Sequence, residues 1–484
     1  MMPKKLKDLS RGDYKRILER SRSRMEEILS RVIPIIQEVE KRGDEAVSRF
    51  TSKFDGVSLS SRDFLVKKER VKAAYKRVSS EVIESLRKMR DQVYDFHRHQ
   101  LPKDWSISKT FLNKGEGSYT LGQRFVPFDQ VGVYVPGGKA RYPSTAIMAT
   151  VPAKLAGVGK IILASPPSKE GEMAEVVMVA ADIAGVDLMI NVGGVQAIAA
   201  LTLGTGTIPK VDLVVGPGNV YVNAAKTYLS SLGKVGIDCP AGPSEILVLA
   251  DDSANSAYVA NDLLSQAEHD EESCSILVTT SEKLAEEVCE LLTKEIKRFS
   301  RRKIMEKSLE KYGAILMVEN LDEAVNFVND FAPEHLEIMT RGPEGVLKQI
   351  KNAGSVFLGD FSPVAAADYL SGTNHILPTG GWAKSFSGLS VQTFLKLLTY
   401  QSLTKGALKL MAKDIATLAF AEGPYDAHAR SIEVRQDIKF PTIPISLATF
   451  LLIVPRSINS WQVYTPIEGL SRDISCLVFP FSIS

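Results

Sequence analysis

The stretch LLSQAEHD (263–270) sets an amide, a carboxylate and an imidazole within four positions, at Gln266, Glu268 and His269. Leu263 and Leu264 begin the segment as a buried helix, and Gln266 and His269, three apart, fall on one face of it. Side chains at that spacing can hold one metal ion, or can simply close a solvated helix end. The chain has six histidines, few enough to weigh one by one. His97 and His99 stand at the end of an apolar stripe beside Arg98 and Gln100 and read as surface residues. The other four each sit in a polar or Gly/Pro-rich stretch near a carboxylate or amide: His269 in SQAEHD, His335 in APEHLE, His375 in SGTNHILP and His428 in AEGPYDAH. A lone histidine is more often a structural cap, but four such contexts, with Asp368 near His375, point towards a shared site. Glu334 beside His335 is a candidate acid–base pair. Neighbours on a strand point to opposite faces, so serving one site requires a non-strand conformation there.

Three glycine-rich loops, YVPGGKARYPS (134–144), GGVQAIAA (193–200) and GPGNVYVNAAK (216–226), each follow a strand-like run and precede a helical one. Glycine admits close backbone approach and a helix start offers free N–H groups to phosphate, so together they suggest a nucleotide pocket. GPGNVY lacks the third glycine of the usual dinucleotide fingerprint, and there is neither a P-loop motif nor H-E-x-x-H.

The elements that must position these groups follow from periodicity. Short β-branched runs at 131–135, 160–165, 188–192 and 211–215, then at 245–250, 275–280, 314–318 and 355–358, alternate with helical stretches. That alternation predicts an α/β fold of two Rossmann-like parallel-sheet lobes with helical terminal extensions. Ligands are expected beyond the carboxyl ends of the strands. Val71, Tyr75, Val78, Val82, Leu86, Met89, Val93 and Phe96 form one apolar stripe, predicting a single long helix. From Phe440 the sequence turns strongly apolar without any lysine, in runs shorter than the roughly 18 residues a membrane span needs; it reads as an appended strand-rich tail or an aberrant translated end rather than an anchor.

With 59 basic and 57 acidic residues and no basic run interleaved with aromatics, nucleic acid is a poor partner. The basic N-terminus lacks the apolar core of a secretory signal. Cys239, Cys274, Cys289 and Cys476 form no C-x-x-C pair and read as reduced thiols of a cytoplasmic protein.

Taken together, GDEAVSRFTSKFDG, GVYVPGGKARYPS, NVGGVQAIAALTLGT, VDLVVGPGNVYV, IDCPAGPSEILVLAD, ANDLLSQAEHD, FAPEHLEI, AGSVFLGDFSP, DYLSGTNHILPT, SGLSVQTF and AEGPYDAH resemble the histidinol dehydrogenase family, in order, over roughly residues 40–435. The resemblance implies an aldehyde-dehydrogenase-like fold in a homodimer with shared active sites. It implies an NAD-dependent, zinc-containing enzyme that oxidises L-histidinol through L-histidinal to L-histidine. By the same likeness Gln266, His269, Asp368 and the other subunit's copy of His428 would be Zn2+ ligands that position the substrate. His335 would be the base for the alcohol proton and Glu334 would activate water. Ser244, His375 and Glu422 would contact substrate, and Tyr134, Gln196 and Asn219 would contact NAD. The implied layout is a helical arm at 1–30, a larger lobe from 31–130 and 244–389, an NAD lobe at 131–243, a dimerisation segment at 390–439 and the atypical tail at 440–484.

Three features depart from the family pattern. Its S-P-E-x-x-G-D-Y reads SPVAAADY here, with Val364 at the glutamate and Ala367 at the glycine; one residue more separates Glu422 from His428; and the tail is additional. Val364 is the feature that would favour a different substrate, another small polar alcohol oxidised by a dehydrogenase of the same family. Two further chemistries are open to these residues: a thiol-dependent aldehyde dehydrogenase using Cys239 or Cys274, and metal-assisted hydrolysis with Glu334 as base.

Overall fold

The computed structural model describes residues 2–20, 25–111, 117–137, 140–423, 426–436, 452–457 and 460–464. The chain forms two compact units, Met1–Lys103 with Phe125–Leu397 and Asp104–Arg124 with Leu398–Ser484.

The first unit is built on two parallel sheets, the α/β architecture expected from the strand–helix alternation. One sheet runs in the order Leu188–Ile190, Lys160–Ala164, Gln130–Tyr134, Leu213–Val215, Gly236–Ile237. The other runs Lys4–Lys5, Ala314–Met317, Cys274–Thr279, Glu245–Ala250, His335–Met339, Ser355–Leu358. Leaving aside the N-terminal edge strand, both have the chain order 3-2-1-4-5, that of a doubly wound nucleotide-binding half. The central strands are buried on both faces, as in helix-covered sheets: every residue of Glu245–Ala250, Cys274–Thr279 and His335–Met339 is buried.

Helix Pro143–Ala156 is buried nearly all round, which its run of small and apolar residues allows. It lies between the first sheet and helix Ser80–His97, whose Leu86, Met89 and Val93 share its core cluster. On the opposite side, Val32, Ile36 and Val39, spaced three or four apart on helix Met25–Arg42, bury against Val195, Ala199, Val222 and Ala225. Each such side chain stabilises the fold by about 1.5–3 kcal/mol. Residues 31–97 thus pack on the first sheet's helices.

The stripe from Val71 to Phe96 is divided. Helix Lys68–Arg77 ends at Val78, and Ser79 caps a second helix, Ser80–His97, by accepting the Val82 N–H. The periodicity runs across the break because both helices pack on the same surface, and Val82 and Phe96 at its edges are exposed.

The second unit contains the antiparallel pair Trp105–Thr110 and Ser118–Pro127, a third strand Leu395–Leu403, and helices Lys405–Glu422 and Asp426–Gln436. Gly122 is required there by close approach, since a Cβ would lie 2.3 Å from the Tyr400 ring. Within the tail, Leu452–Ser457 and Ser460–Tyr464 pair as an antiparallel hairpin; the rest from 440, with Cys476, lies outside the described residues.

Candidate active site

The two sheets use opposite rims. In the first, the candidate cofactor residues lie at the carboxyl ends, as expected: Tyr134 ends its strand, Gly194–Leu203 is the helix after Leu188–Ile190, and Asn219 caps the helix after Leu213–Val215. In the second, the candidate residues lie at the amino ends of the strands, where the carboxyl-end rule does not put them. Ser244 immediately precedes strand Glu245–Ala250, His335 opens its strand, and Gln266 and His269 come at the end of the helix that returns the chain to the start of Cys274–Thr279. The carboxyl-end rule describes ligands at the starts of the covering helices; here the side chains come from helix ends and strand beginnings.

Glu334 and His335 are held by one residue. The Glu334 carboxylate accepts the Glu245 backbone N–H (2.7 Å), and His335 Nδ1 lies 2.8 Å from the Glu245 carbonyl oxygen. The carbonyl can only accept, so Nδ1 carries the proton and the lone pair resides on Nε2. That Nε2 is buried and meets no hydrogen-bond partner among the described residues. The two side chains share a site because Glu334 lies in a bend, before the strand starts. Ala332, in the left-handed region (φ 51°), ends helix Leu321–Phe331 and turns the chain into that bend. Burial pushes the Glu334 carboxyl well above its usual range, with the Glu245 and Asp368 charges adding to it against the Glu245 N–H and Arg20. Burial lowers His335, with Asp368 opposing.

Around this pair stand the remaining candidates of the first unit. Gln266, buried, reaches from helix Ser256–Ala267 to within 3.4 Å of His269 Nδ1. Asp368, on helix Val364–Tyr369, lies 3.8 Å from His375 Nδ1, which also bonds the Asp368 carbonyl at 3.3 Å. His375 Nε2 is 3.3 Å from the Thr145 hydroxyl, on the helix that follows the first sheet's central strand. Burial lowers the His375 pKa, with Asp368 again opposing, and His269 acts on both His335 and His375. Gln266, His269, Glu334, His335, Asp368 and His375 therefore gather at one place, with Ser244 on its border. Glu422 and His428 belong to the second unit and are exposed there.

His97, expected at the surface, is fully buried. Its Nδ1 bonds Gln100 Oε1 (2.7 Å) and its Nε2 faces the Asn374 amide (3.3 Å), which donates to the Met148 carbonyl (2.8 Å). It fixes the backbone just before His375, a role invisible in its flanking Arg98 and His99.

At the first sheet's rim, the Tyr134 hydroxyl accepts the Gly194 N–H (3.0 Å), and Asn219 accepts from Tyr221 and Val222 N–H. Both side chains occupy the places an anion would take at a helix start. Gln196 is fully buried: its amide nitrogen is 3.4 Å from Asp55, and its Oε1 has no partner among the described residues. Asp55, pushed by burial up to about 6, is a residue that sequence reasoning misses; SKFDG carries no signal that its aspartate meets Gln196. The glycines here serve packing: a Cβ on Gly216 would lie 2.2 Å from the Tyr134 carbonyl oxygen. Buried Lys226 secures that turn, donating to the Gly216 carbonyl (2.8 Å) and to Asp238 (2.6 Å), which accepts the Gly216 N–H (2.7 Å). Residues 138–139 of the first glycine loop lie outside the described residues.

The histidinol dehydrogenase family model matches residues 18–436. The chain belongs to the histidinol dehydrogenase family. It is 46% identical over 437 residues to the histidinol dehydrogenase of Methanocaldococcus jannaschii, covering 90% of this chain and 99% of that one. It is 45% identical over 433 residues to that of Methanothermobacter thermautotrophicus, covering 89% and 99%. The crystal structure of histidinol dehydrogenase from Elizabethkingia anophelis superposes with a TM-score of 0.84 at 35% identity, over 90% of this chain and 98% of that one. As a histidinol dehydrogenase family member the chain is an oxidoreductase.

For a family implying zinc, the donor set fits: a neutral amide, an imidazole and a carboxylate stand together, with two further imidazoles that burial holds towards the neutral, lone-pair form. Among the described residues no three His, Cys, Asp or Glu side chains form a ready cage; the implied set has only His269 and Asp368 of those types in this unit. The orphaned Gln196 oxygen and the clustered helix starts fit a dinucleotide at the other rim. Both thiols fit nucleophilic chemistry badly, since burial pushes Cys239 far up and Cys274 up to about 12. Val364 does not leave a polar gap: its side chain packs in an apolar cluster with Ala260, Leu263 and Leu264, and its N–H donates to Glu337 (3.0 Å).

Proposed function

We propose that this histidinol dehydrogenase family member oxidises L-histidinol in two NAD-dependent steps, through L-histidinal to L-histidine. It acts as a cytoplasmic homodimer whose sites include Glu422 and His428 of the second subunit. The observation that carries the reading is the tautomer of His335: Nδ1 is committed to the Glu245 carbonyl, so a buried, unpartnered Nε2 is left as a base.

His335 Nε2 takes the hydroxyl proton of the alcohol as the carbon loses hydride. Glu334, 3.5 Å from His335, takes a proton from the water that adds to the aldehyde, while His335 returns the proton it gained to the aldehyde oxygen and is again a free base. His335 then removes the hydroxyl proton of the hydrated aldehyde as the second hydride departs. Each step thus releases one proton and one hydride, and the added water oxygen remains in the carboxylate. Gln266, His269, Asp368 and His428 would hold zinc, and Tyr134, Gln196 and Asn219 the dinucleotide. When bound, NAD supplies the hydride acceptor and zinc a template that orients the substrate's imidazole and amine. Ser244, His375 and Glu422 complete the grip on a small cationic alcohol.

The test follows NADH formed from L-histidinol by protein stripped with chelator, and again after zinc is restored. Two NADH per histidinol, only with zinc, is the expected result. No NADH from histidinol with zinc restored would refute the assignment, and turnover of a different polar alcohol would transfer it within the family.

A further inference from the structure

Arg20 follows the N-terminal helix Arg11–Glu19, yet its side chain is almost wholly buried. Its Nη2 meets Glu245 Oε2 at 2.9 Å, and its guanidinium carbon lies 3.2 Å from the centre of the Phe331 ring. The other Glu245 oxygen accepts the Gly380 N–H at 2.8 Å. The backbone of this same Glu245 donates to Glu334 and accepts from His335. Phe331, under the guanidinium, is the last residue of the helix that turns into Glu334.

We propose that Arg20 is a positioning residue for the redox site: by pairing with Glu245 and covering Phe331, it fixes the strand start that orients Glu334 and His335. The proposal rests on the roles given to those two residues above.

The physical argument has two parts. A buried carboxylate without its cation rearranges or takes up a proton, and Glu245 cannot shift its side chain without dragging the backbone N–H and carbonyl that hold the pair. A planar guanidinium can bond the carboxylate and stack on a ring at once, which an ammonium cannot. Arg20 also opposes the burial and the Glu245 charge that together raise the Glu334 carboxyl. The N-terminal arm thereby belongs to the frame of the site without touching substrate.

The test compares wild type, Arg20→Gln and the double variant Arg20→Met/Glu245→Gln, all zinc-loaded. Removing both charges of a buried pair commonly preserves stability, so the double variant separates folding from positioning. At a Tm within a few degrees of wild type, a misplaced pair is expected to lower kcat about 10²-fold, as for a displacement on the order of 1 Å, with KM for histidinol nearly unchanged. NADH per histidinol should fall below two, as aldehyde escapes before hydration. Arg20→Gln, which keeps a donor for Glu245, should lose less. Wild-type kcat and stoichiometry in a folded double variant, or a change confined to KM, would overturn the proposal; if it does not fold, Arg20→Gln is judged by the same criterion. A wild-type enzyme inert on histidinol would instead refute the functional reading on which this rests.

Discussion

At the scale of the residue, Glu334 and His335 are neighbours that burial drives to their neutral forms from opposite directions, one pKa up and one down. The signs separate the two oxidations. His335 keeps its base form until pH falls through a value below the ordinary 6.5, whereas Glu334 gains its base form only as pH rises through a value well above 4.5. Because Glu334 is protonated well above the ordinary carboxylate range, acidification should weaken the water-activating step and NADH per histidinol should decline from two towards one; a constant ratio across the acid limb would contradict this. Glu334→Gln should give the one-NADH behaviour at all pH values. His335→Asn should lower the first step about 10²–10⁴-fold, the usual weight of a general base. The grouping of His269, His335 and His375 is legible in sequence because each carries its polar context with it, whereas the burial of His97 is not. Arg20 and Glu245 are not: in ERSRSR an arginine reads as surface charge, and only the closing of the sheet brings it to the head of a strand far along the chain.

Among the elements, the strand starting at His335 is hidden in the sequence, because APEHLEIM mixes charges into a run whose burial on both faces normally demands apolar residues. Glu337 within it is buried and its carboxyl is pushed well up by burial and by Asp262. Val364 is set directly against that carboxyl through its N–H while its side chain fills the apolar cluster. Val364→Glu would thrust a further carboxylate into this space. It should destabilise the fold by about 2–5 kcal/mol, without improving the affinity for histidinol. Thermal melts check this: the introduced acid is tolerated best when protonated, so the deficit should shrink as pH is lowered. A glutamate variant with undiminished Tm and tighter substrate binding would show instead that the valine is a loss. The split of the long apolar stripe at Ser79 is likewise hidden, since two helices lying on one surface keep one periodicity.

For the whole molecule, the alternation of strands and helices foretells the two parallel sheets well, because a βαβ unit writes itself into sequence as a regular change of period. What it cannot foretell is which rim of each sheet is used. The family match ends at residue 436, so the remainder of the chain stands outside the family architecture. A protein cut after residue 439 is expected to keep the turnover and melting temperature of the full chain; a fall in either would assign the tail a part in the fold.

The repeated 3-2-1-4-5 order, used at opposite rims, has an electrostatic consequence. At the first sheet's carboxyl rim, helices Gly194–Leu203 and Val220–Ser231 present their starts, where aligned peptide dipoles leave partial positive charge. At the second sheet's amino rim, helix Ser256–Ala267 presents its end, the negative pole, beside Gln266 and His269. One structural unit, used twice, thus yields an anion-attracting edge and a cation-attracting edge. The proposed dinucleotide phosphates and the proposed metal with its cationic alcohol are sorted by backbone polarity before any side chain discriminates between them.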